Sequence, residues 1–443
     1  MLLRFVVKNL YSFKEETEFN LFPSSKAAHH LHHKVQCGDM EAMRLTAIYG
    51  ANGAGKSNLV KALQDLKTIV ATGNIGQMVF QNYNFQFSKA SLNEPVSMAI
   101  EFCIDGIVYY YSLEMDTGIV SYESLSISKK SKDLLVFERK TNGIQTIKFG
   151  EGYSANKSNK LFSNVLQDKL LVREALLLSF MASNYPEEIP DIAKAYQWIV
   201  NDLFVLNPKY LKNLALAYLF SKNPGMSSLL QDVLSGTKTG ITSVEVGARV
   251  VDESQLDSGF VKGLKDTPGV PKILQNAADD RINNSIVYEN GQIVYMEIQP
   301  KHQLSDGAEV RMPINFESDG TIRLIEYIPL LYLVLTRDCV VIIDEMERSL
   351  HPILIKEIIT KISESQTAKG QLIFTTHESC LLDQEILRPD EIWFAQKDTE
   401  QATQFYPLSD FNIHKTANIE NGYLNGRYGG IPFLSNLNDL HWK

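Results

Sequence analysis

Apolar and polar positions alternate along Leu2 to Lys8, and a second apolar stretch, Leu45 to Tyr49, runs straight into a glycine-rich loop. Both predict strands. After the loop, Leu59, Val60, Ala62, Leu63, Leu66, Ile69 and Val70 recur at helical spacing, a stripe suited to packing on a sheet. From Val96 to about Phe149, short β-like runs are separated by Asp105-Gly106, Thr117-Gly118 and Asn142-Gly143, which predicts antiparallel hairpins. Leu161 to Leu234 reads as mostly helical, cut into short helices by Pro186, Pro190, Pro208 and Pro224. Between Val251 and Asp280 the chain turns polar and carries Gly259, Gly263, Pro268-Gly269 and Pro271, as a long mobile loop would. A hairpin signal returns around Asn290-Gly291, and apolar strands and helices then alternate to about Ala395. The pattern predicts an α/β chain in three parts. These are an N-terminal lobe over 1–155 with a β-hairpin subdomain, a mainly helical insertion with a mobile loop over 156–285, and a C-terminal lobe over 286–443.

The loop itself carries the sharpest chemistry. Gly50-Ala51-Asn52-Gly53-Ala54-Gly55-Lys56-Ser57, followed by Asn58, fits the P-loop pattern, in which small residues let backbone N–H groups surround phosphate oxygens. The following helix aims its N-terminus at that anion. Lys56 is placed for the β- and γ-phosphates, and the Ser57 hydroxyl for Mg²⁺. Downstream, Cys339 to Ile343 is a continuous apolar run that ends in Asp344-Glu345, a Walker B arrangement. There Asp344 holds Mg²⁺ through its hydration shell and Glu345 orients or activates water. Gln371 to Thr375 reads as another buried strand, and His377 follows at its end within reach of a γ-phosphate.

Phe316-Glu317-Ser318-Asp319-Gly320-Thr321 precedes a long apolar helix and places Ser318 26 residues before Asp344. Ser318 and the Gly320 backbone at a helix N-terminus make an anion receptor. This stretch resembles the signature of ABC-type ATPases, and that resemblance implies a receptor facing away from the chain's own P-loop and serving the ATP of a second copy. Taken alone, the same residues also make a simple N-cap.

Together these segments resemble the ABC-type ATPases of the OLD-like class, which are related to SMC and RecF proteins and recur in anti-phage systems such as PARIS, Septu and retrons. The resemblance covers roughly the first 150 and last 150 residues. It runs through Ala47 to Asn52, Phe137-Glu138-Arg139, Glu317 to Thr321, Ser349-Leu350-His351-Pro352 and Asn425 to Gly430. It implies an ABC-type P-loop NTPase head, ATP and Mg²⁺ as cofactors, and ATP hydrolysis at a head-to-tail dimer or higher homo-oligomer. Glu347 to His351 would then cross the dimer interface, with Arg348 and Ser349 as contacts. A glutamine of the Q-loop type would join the Mg²⁺ ligands, Gln86 being preferred to Gln81. The implied role is the sensing and scaffolding subunit of a defence system, controlling a separate effector that is often a nuclease. The stretch after His377 is too short for an appended nuclease domain. Glu317 and Asp319 depart from the Leu-Ser-Gly-Gly-Gln signature of transporters, and no heptad run forms a long coiled coil. An SMC/RecF-like DNA-repair ATPase remains the alternative, and it keeps nucleic acid open as a ligand.

Bulk properties narrow the setting. The 443 residues are 44% hydrophobic and 21% charged, with no apolar run of the length a membrane span requires and no leader pattern. This predicts a soluble cytoplasmic protein without a membrane partner. Four scattered cysteines make no disulfide framework, and a net charge of -9 argues against indiscriminate coating of nucleic acid. Three further features have mainly structural readings. His29, His30, His32 and His33 lie in a polar loop with no partner cysteines; Tyr109-Tyr110-Tyr111 suits packing across a sheet; Lys129, Lys130 and Lys132 suit a solvated loop.

Overall fold

The computed structural model describes residues 1–443 apart from 28, 77–82, 208–213, 238, 277–278, 415–416 and 432–443. Its elements in chain order begin with β1 (Leu2–Lys8), β2 (Thr17–Asn20), β3 (Lys34–Cys37), β4 (Met40–Met43), β5 (Leu45–Gly50) and α1 (Lys56–Thr72). The hairpin strands follow as β6 (Val96–Ile104), β7 (Ile107–Asp116), β8 (Ile119–Ile127), β9 (Leu134–Asn142) and β10 (Ile144–Phe149). Next come α2 (Glu151–Ser154), α3 (Lys157–Val165), α4 (Leu177–Asn184), α5 (Pro190–Gln197), β11 (Leu203–Leu206), α6 (Leu216–Lys222) and α7 (Pro224–Thr237). Then follow β12 (Ile241–Val251), α8 (Ser258–Lys265), β13 (Lys272–Asn276), β14 (Asp279–Glu289), β15 (Gln292–Gln303), β16 (Glu309–Arg311) and α9 (Asp319–Thr336). The chain closes with β17 (Val340–Ile343), α10 (Pro352–Glu364), β18 (Gln371–Thr375), β19 (Ile392–Lys397), β20 (Thr403–Pro407) and α11 (Ile419–Leu424).

The chain forms two compact units, one of Met1–Val205, Arg337–Met346 and Ile359–Lys443, the other of Leu206–Thr336 and Glu347–Ile358. In the first, an antiparallel sheet runs β10-β9-β8-β7-β6-β1-β2. Its tight turns at Asp105-Gly106 (φ 49° and 77°) and Thr117-Gly118 (φ 47° and 82°) take the left-handed backbone that matches strand twist. A second sheet runs β11-β17-β18-β5-β19-β20, in which β17, β18, β5 and β19 are parallel. Every residue of β5, β17 and β18 is buried, which explains why their sequences are mostly apolar and do not alternate. Helix α1 sets Leu59, Leu63, Leu66 and Val70 into the same core as Phe5, Ile100 and Ile342. Each such side chain contributes about 1.5–3 kcal/mol on burial. Because β5, β17 and β18 are parallel neighbours, the loops after them leave the sheet at one edge, and this gathers the site.

The second unit carries a sheet ordered β12-β15-β14-β13, with β16 beside β15. One expectation is corrected here. Among the described residues helices outnumber strands between 156 and 285, but the interval also carries strands, β12 pairing with β15 along nearly its whole length and β13 with β14. Residues 251–280 are not a structureless loop. Asp252 and Asp257 accept the backbone N–H of Ser254 and Phe260, nucleating a short 3-10 turn and α8. Helix α8 then buries Val261 and Leu264 against Ile286 and Ile293. The units also divide the chain differently from the expected lobes, because β11 joins the β17 sheet while residues 286–336 stay with the second unit. Among the described residues, no helix is long and apolar enough to cross a membrane.

Candidate nucleotide site

Strand β5 ends at Gly50, and the chain turns through Gly53 (φ 79°) and Gly55 (φ 109°) into α1. Gly53 has open space around its Cα, whereas a side chain at Gly55 would collide with Thr403 and Ser12. Asn52 and Gly53 are exposed, Ala54 and Lys56 buried. The Lys56 ammonium lies 2.7 Å from the Gly50 carbonyl, 3.4 Å from that of Ala51 and 3.2 Å from His377 Nε2. Since an ammonium only donates, Nε2 accepts, which places the imidazole proton on Nδ1.

Beside the lysine, Ser57 Oγ donates to Asp344 Oδ1 at 3.2 Å. The Thr375 hydroxyl donates to the same oxygen at 2.6 Å and accepts the backbone N–H of Glu345 at 2.8 Å. Glu345 has φ 51°, an uncommon conformation for a residue with a Cβ, and this hydrogen bond helps to hold it. A hydroxyl and a nearly buried carboxylate side by side are hard oxygen donors, the set that suits Mg²⁺ shared with phosphate and water. The site thus juxtaposes a glycine-rich turn at a helix N-terminus, a lysine, an oxygen pair and a carboxylate one residue beyond it.

Residues 45–383 match the family described as "AAA domain, putative AbiEii toxin, Type IV TA system". The chain belongs to this family. Comparison with curated proteins finds no match. Among solved structures, the chain is similar to an SMC head bound to the C-winged helix domain of ScpA, at 13% identity and TM-score 0.42 over 92% of this chain and 97% of that one. It is also similar to the SMC head domain from Thermotoga maritima, at 11% identity and TM-score 0.41 over 92% and 98%. A third likeness is to the Smc head with an extended coiled coil bound to the C-terminal domain of ScpA, derived from Pyrococcus furiosus (13% identity, TM-score 0.41, 92% and 96%).

In this AAA domain the remaining sequence candidates fall as follows. Asn58 donates to Ser12 Oγ at 2.8 Å. Gln86 is exposed and its amide donates to the Asn84 carbonyl at 2.7 Å, so it is not among the hydrogen-bond partners described for Ser57 and Asp344. Gln81 lies outside the described residues. Within the second unit, Ser318 caps α9 by accepting the Thr321 N–H at 3.1 Å. A Cβ on Gly320 would stand 2.8 Å from the Ser349 carbonyl oxygen, so the start of α9 lies against the 347–351 loop. Ser318, Arg348 and Ser349 are exposed.

His30, His32 and His33 come together with ring nitrogens within 4.8 Å. Both nitrogens of His33 are engaged, Nδ1 with Glu391 at 2.8 Å and Nε2 with the Ser363 carbonyl at 2.9 Å, which leaves the trio short of three open ligands. Tyr109 and Tyr111 are fully buried, with hydroxyls on Asp191 and Glu123. Lys129, Lys130 and Lys132 are exposed. Sequence reasoning missed Ser12, Thr375 and Thr403 as site residues. Thr375 was visible as the last residue of a strand beside Walker B, whereas Ser12 and Thr403 join only through the fold.

Proposed function

We propose that this chain binds ATP with Mg²⁺ and hydrolyses it between two copies that meet head to tail. The observation that carries the reading is the set of Lys56, Ser57, Asp344 and Glu345 at one edge of the parallel sheet. Backbone amides of Gly53 to Ser57 grip the phosphates, and Lys56 exchanges its loop carbonyls for phosphate oxygens. Ser57 and Asp344 hold Mg²⁺, which neutralises phosphate charge when bound. Glu345 receives a proton from the attacking water, and His377 faces the terminal phosphate. Ser318 and the Gly320 amide of a second copy close the site from the other side.

In the cell the ATPase is the sensing and scaffolding subunit of an anti-phage system that restrains or releases a separate effector. The sequence resemblance supports this role, and a family description that names a toxin of a toxin–antitoxin system is compatible with it. The test is Glu345→Gln, assayed by phosphate release and by light scattering after gel filtration with ATP. Lost turnover with an ATP-dependent dimer is expected. Unchanged turnover removes Glu345 from its role, and a monomer in ATP removes the shared site. Recovery of a nuclease with the ATP-bound variant supports the defence role, whereas salt-sensitive binding to duplex ends points to repair.

A further inference from the structure

Asn58, Ser12 and Thr403 form a hydrogen-bonded chain that ends on the back of the phosphate loop. Asn58 Nδ2 lies 2.8 Å from Ser12 Oγ, Ser12 Oγ 2.7 Å from Thr403 Oγ1, and Thr403 Oγ1 2.9 Å from the Ala54 carbonyl oxygen. The protons fit only one direction. A carbonyl cannot donate, so Thr403 gives its single proton to Ala54, must accept from Ser12, and Ser12 in turn accepts from Asn58. Ser12 and Thr403 are 5% and 2% exposed, so water does not compete for these bonds. The Thr403 backbone N–H also donates to the Ser12 carbonyl at 2.7 Å, which fixes β20 to the loop after β1.

A peptide unit is planar and trans, so its C=O and N–H point in opposite directions. Anchoring the Ala54 oxygen on the Thr403 side therefore turns the Gly55 N–H to the opposite side. Gly55 is the residue most able to let that plane rotate, and its φ of 109° is open to few others. We infer that Thr403, backed by Ser12 and Asn58, is a positioning residue that locks the Ala54–Gly55 peptide with its amide toward the phosphates. This rests on the nucleotide reading above. The loop after β1 and the start of β20, far apart in sequence, thereby set the shape of the cradle.

The test is direct titration of ATP and ADP onto the full chain, well below its melting temperature, for wild type, Thr403→Val, Thr403→Ser and Ser12→Ala. Thr403→Val keeps the volume and loses the proton. It should raise the Kd for both nucleotides about tenfold, since one buried hydrogen bond and the amide it aims are lost. ATP and ADP should suffer alike, because the backbone cradle holds the phosphates they share. Thr403→Ser should bind like wild type, and Ser12→Ala should weaken binding in the same direction and non-additively with Thr403→Val. Unchanged affinity in Thr403→Val, or equal loss in Thr403→Ser, overturns the inference. Should Thr403→Val not fold, unchanged affinity in Ser12→Ala overturns it as well. Failure of the wild type to bind either nucleotide is a distinct result that overturns the nucleotide reading itself.

Discussion

Thr375 Oγ1 lies 2.6 Å from Asp344 Oδ1 while accepting the Glu345 N–H at 2.8 Å, so one buried hydroxyl orients both acids of the Walker B pair. Thr375→Val retains the shape and deletes both bonds. It should cost about 1–3 kcal/mol of stability, because the Glu345 amide and the Asp344 oxygen each lose a partner. It should also raise the Mg²⁺ concentration that half-saturates turnover, since Asp344 then keeps the longer hydrogen bond from Ser57 and loses the shorter one from Thr375. Urea unfolding and an Mg²⁺ titration of phosphate release read the two effects. Wild-type values in both assays would leave Thr375 without the orienting role.

Much of this arrangement was legible because it is local. Leu45 to Ser57 declares strand, glycine loop and helix start within one short window, and Asp105-Gly106 and Thr117-Gly118 announce the turns they make. The 241–251 strand does alternate, with Val244, Val246, Ala248 and Val250 between Glu245, Gly247 and Arg249. Its side chains are mostly half-buried or exposed, so the helical and polar stretches around it outweighed that signal. Strand β11 is four residues long inside a helical interval, too short for a period to emerge. Ser12 and Thr403 stand 391 residues apart, and no spacing rule connects them.

Gly320 tests the second unit's part in the proposed shared site. Its Cα faces the Ser349 carbonyl so closely that a Cβ would stand 2.8 Å away, and backbone cannot yield cheaply. Gly320→Ala should displace the 347–351 loop from the signature turn by a few tenths of an ångström or more. ATP binding by isolated chains should persist, while turnover falls about tenfold to a hundredfold, the cost of misplacing a group around a reacting centre. Equal loss of binding and turnover would place Gly320 in the fold and not in the shared site.

Arg139 and Glu123 are both fully buried, with Nη1 3.6 Å from Oε2. Arg139 donates to Gln145 and to the carbonyls of Val172, Arg173 and Ala175, while Glu123 accepts the N–H groups of Leu177 and Leu178 at the start of α4. The pair therefore ties the hairpin sheet to the chain entering that helix. Arg139→Met should destabilise by about 3–5 kcal/mol, because Glu123 is left buried without its countercharge. Replacing both residues with apolar groups should recover part of that loss. Chemical denaturation of the single and double variants decides between a charge effect and a packing effect, which would not be relieved by the second change.

His30 supplies a pH dependence whose sign can be worked out. Burial, reinforced by His33 and His32 nearby, lowers its pKa from the ordinary 6.5, while the hydrogen bond to the Gln384 carbonyl and the charge of Glu385 oppose the shift. The fold thus favours the neutral ring. Its contribution is fully present above the unfolded value of 6.5 and is lost as pH falls through the lowered native value. His30 also sits at φ 47°, a conformation that asparagine tolerates, so His30→Asn removes the titration without adding backbone strain. Melting temperature measured from pH 8 to pH 5 should fall more steeply in the wild type than in the variant below neutrality. The variant's curve should lie below the wild type's above pH 7, where the lost hydrogen bond alone counts. Parallel curves across the whole range would mean that protonation of His30 carries no cost in the fold.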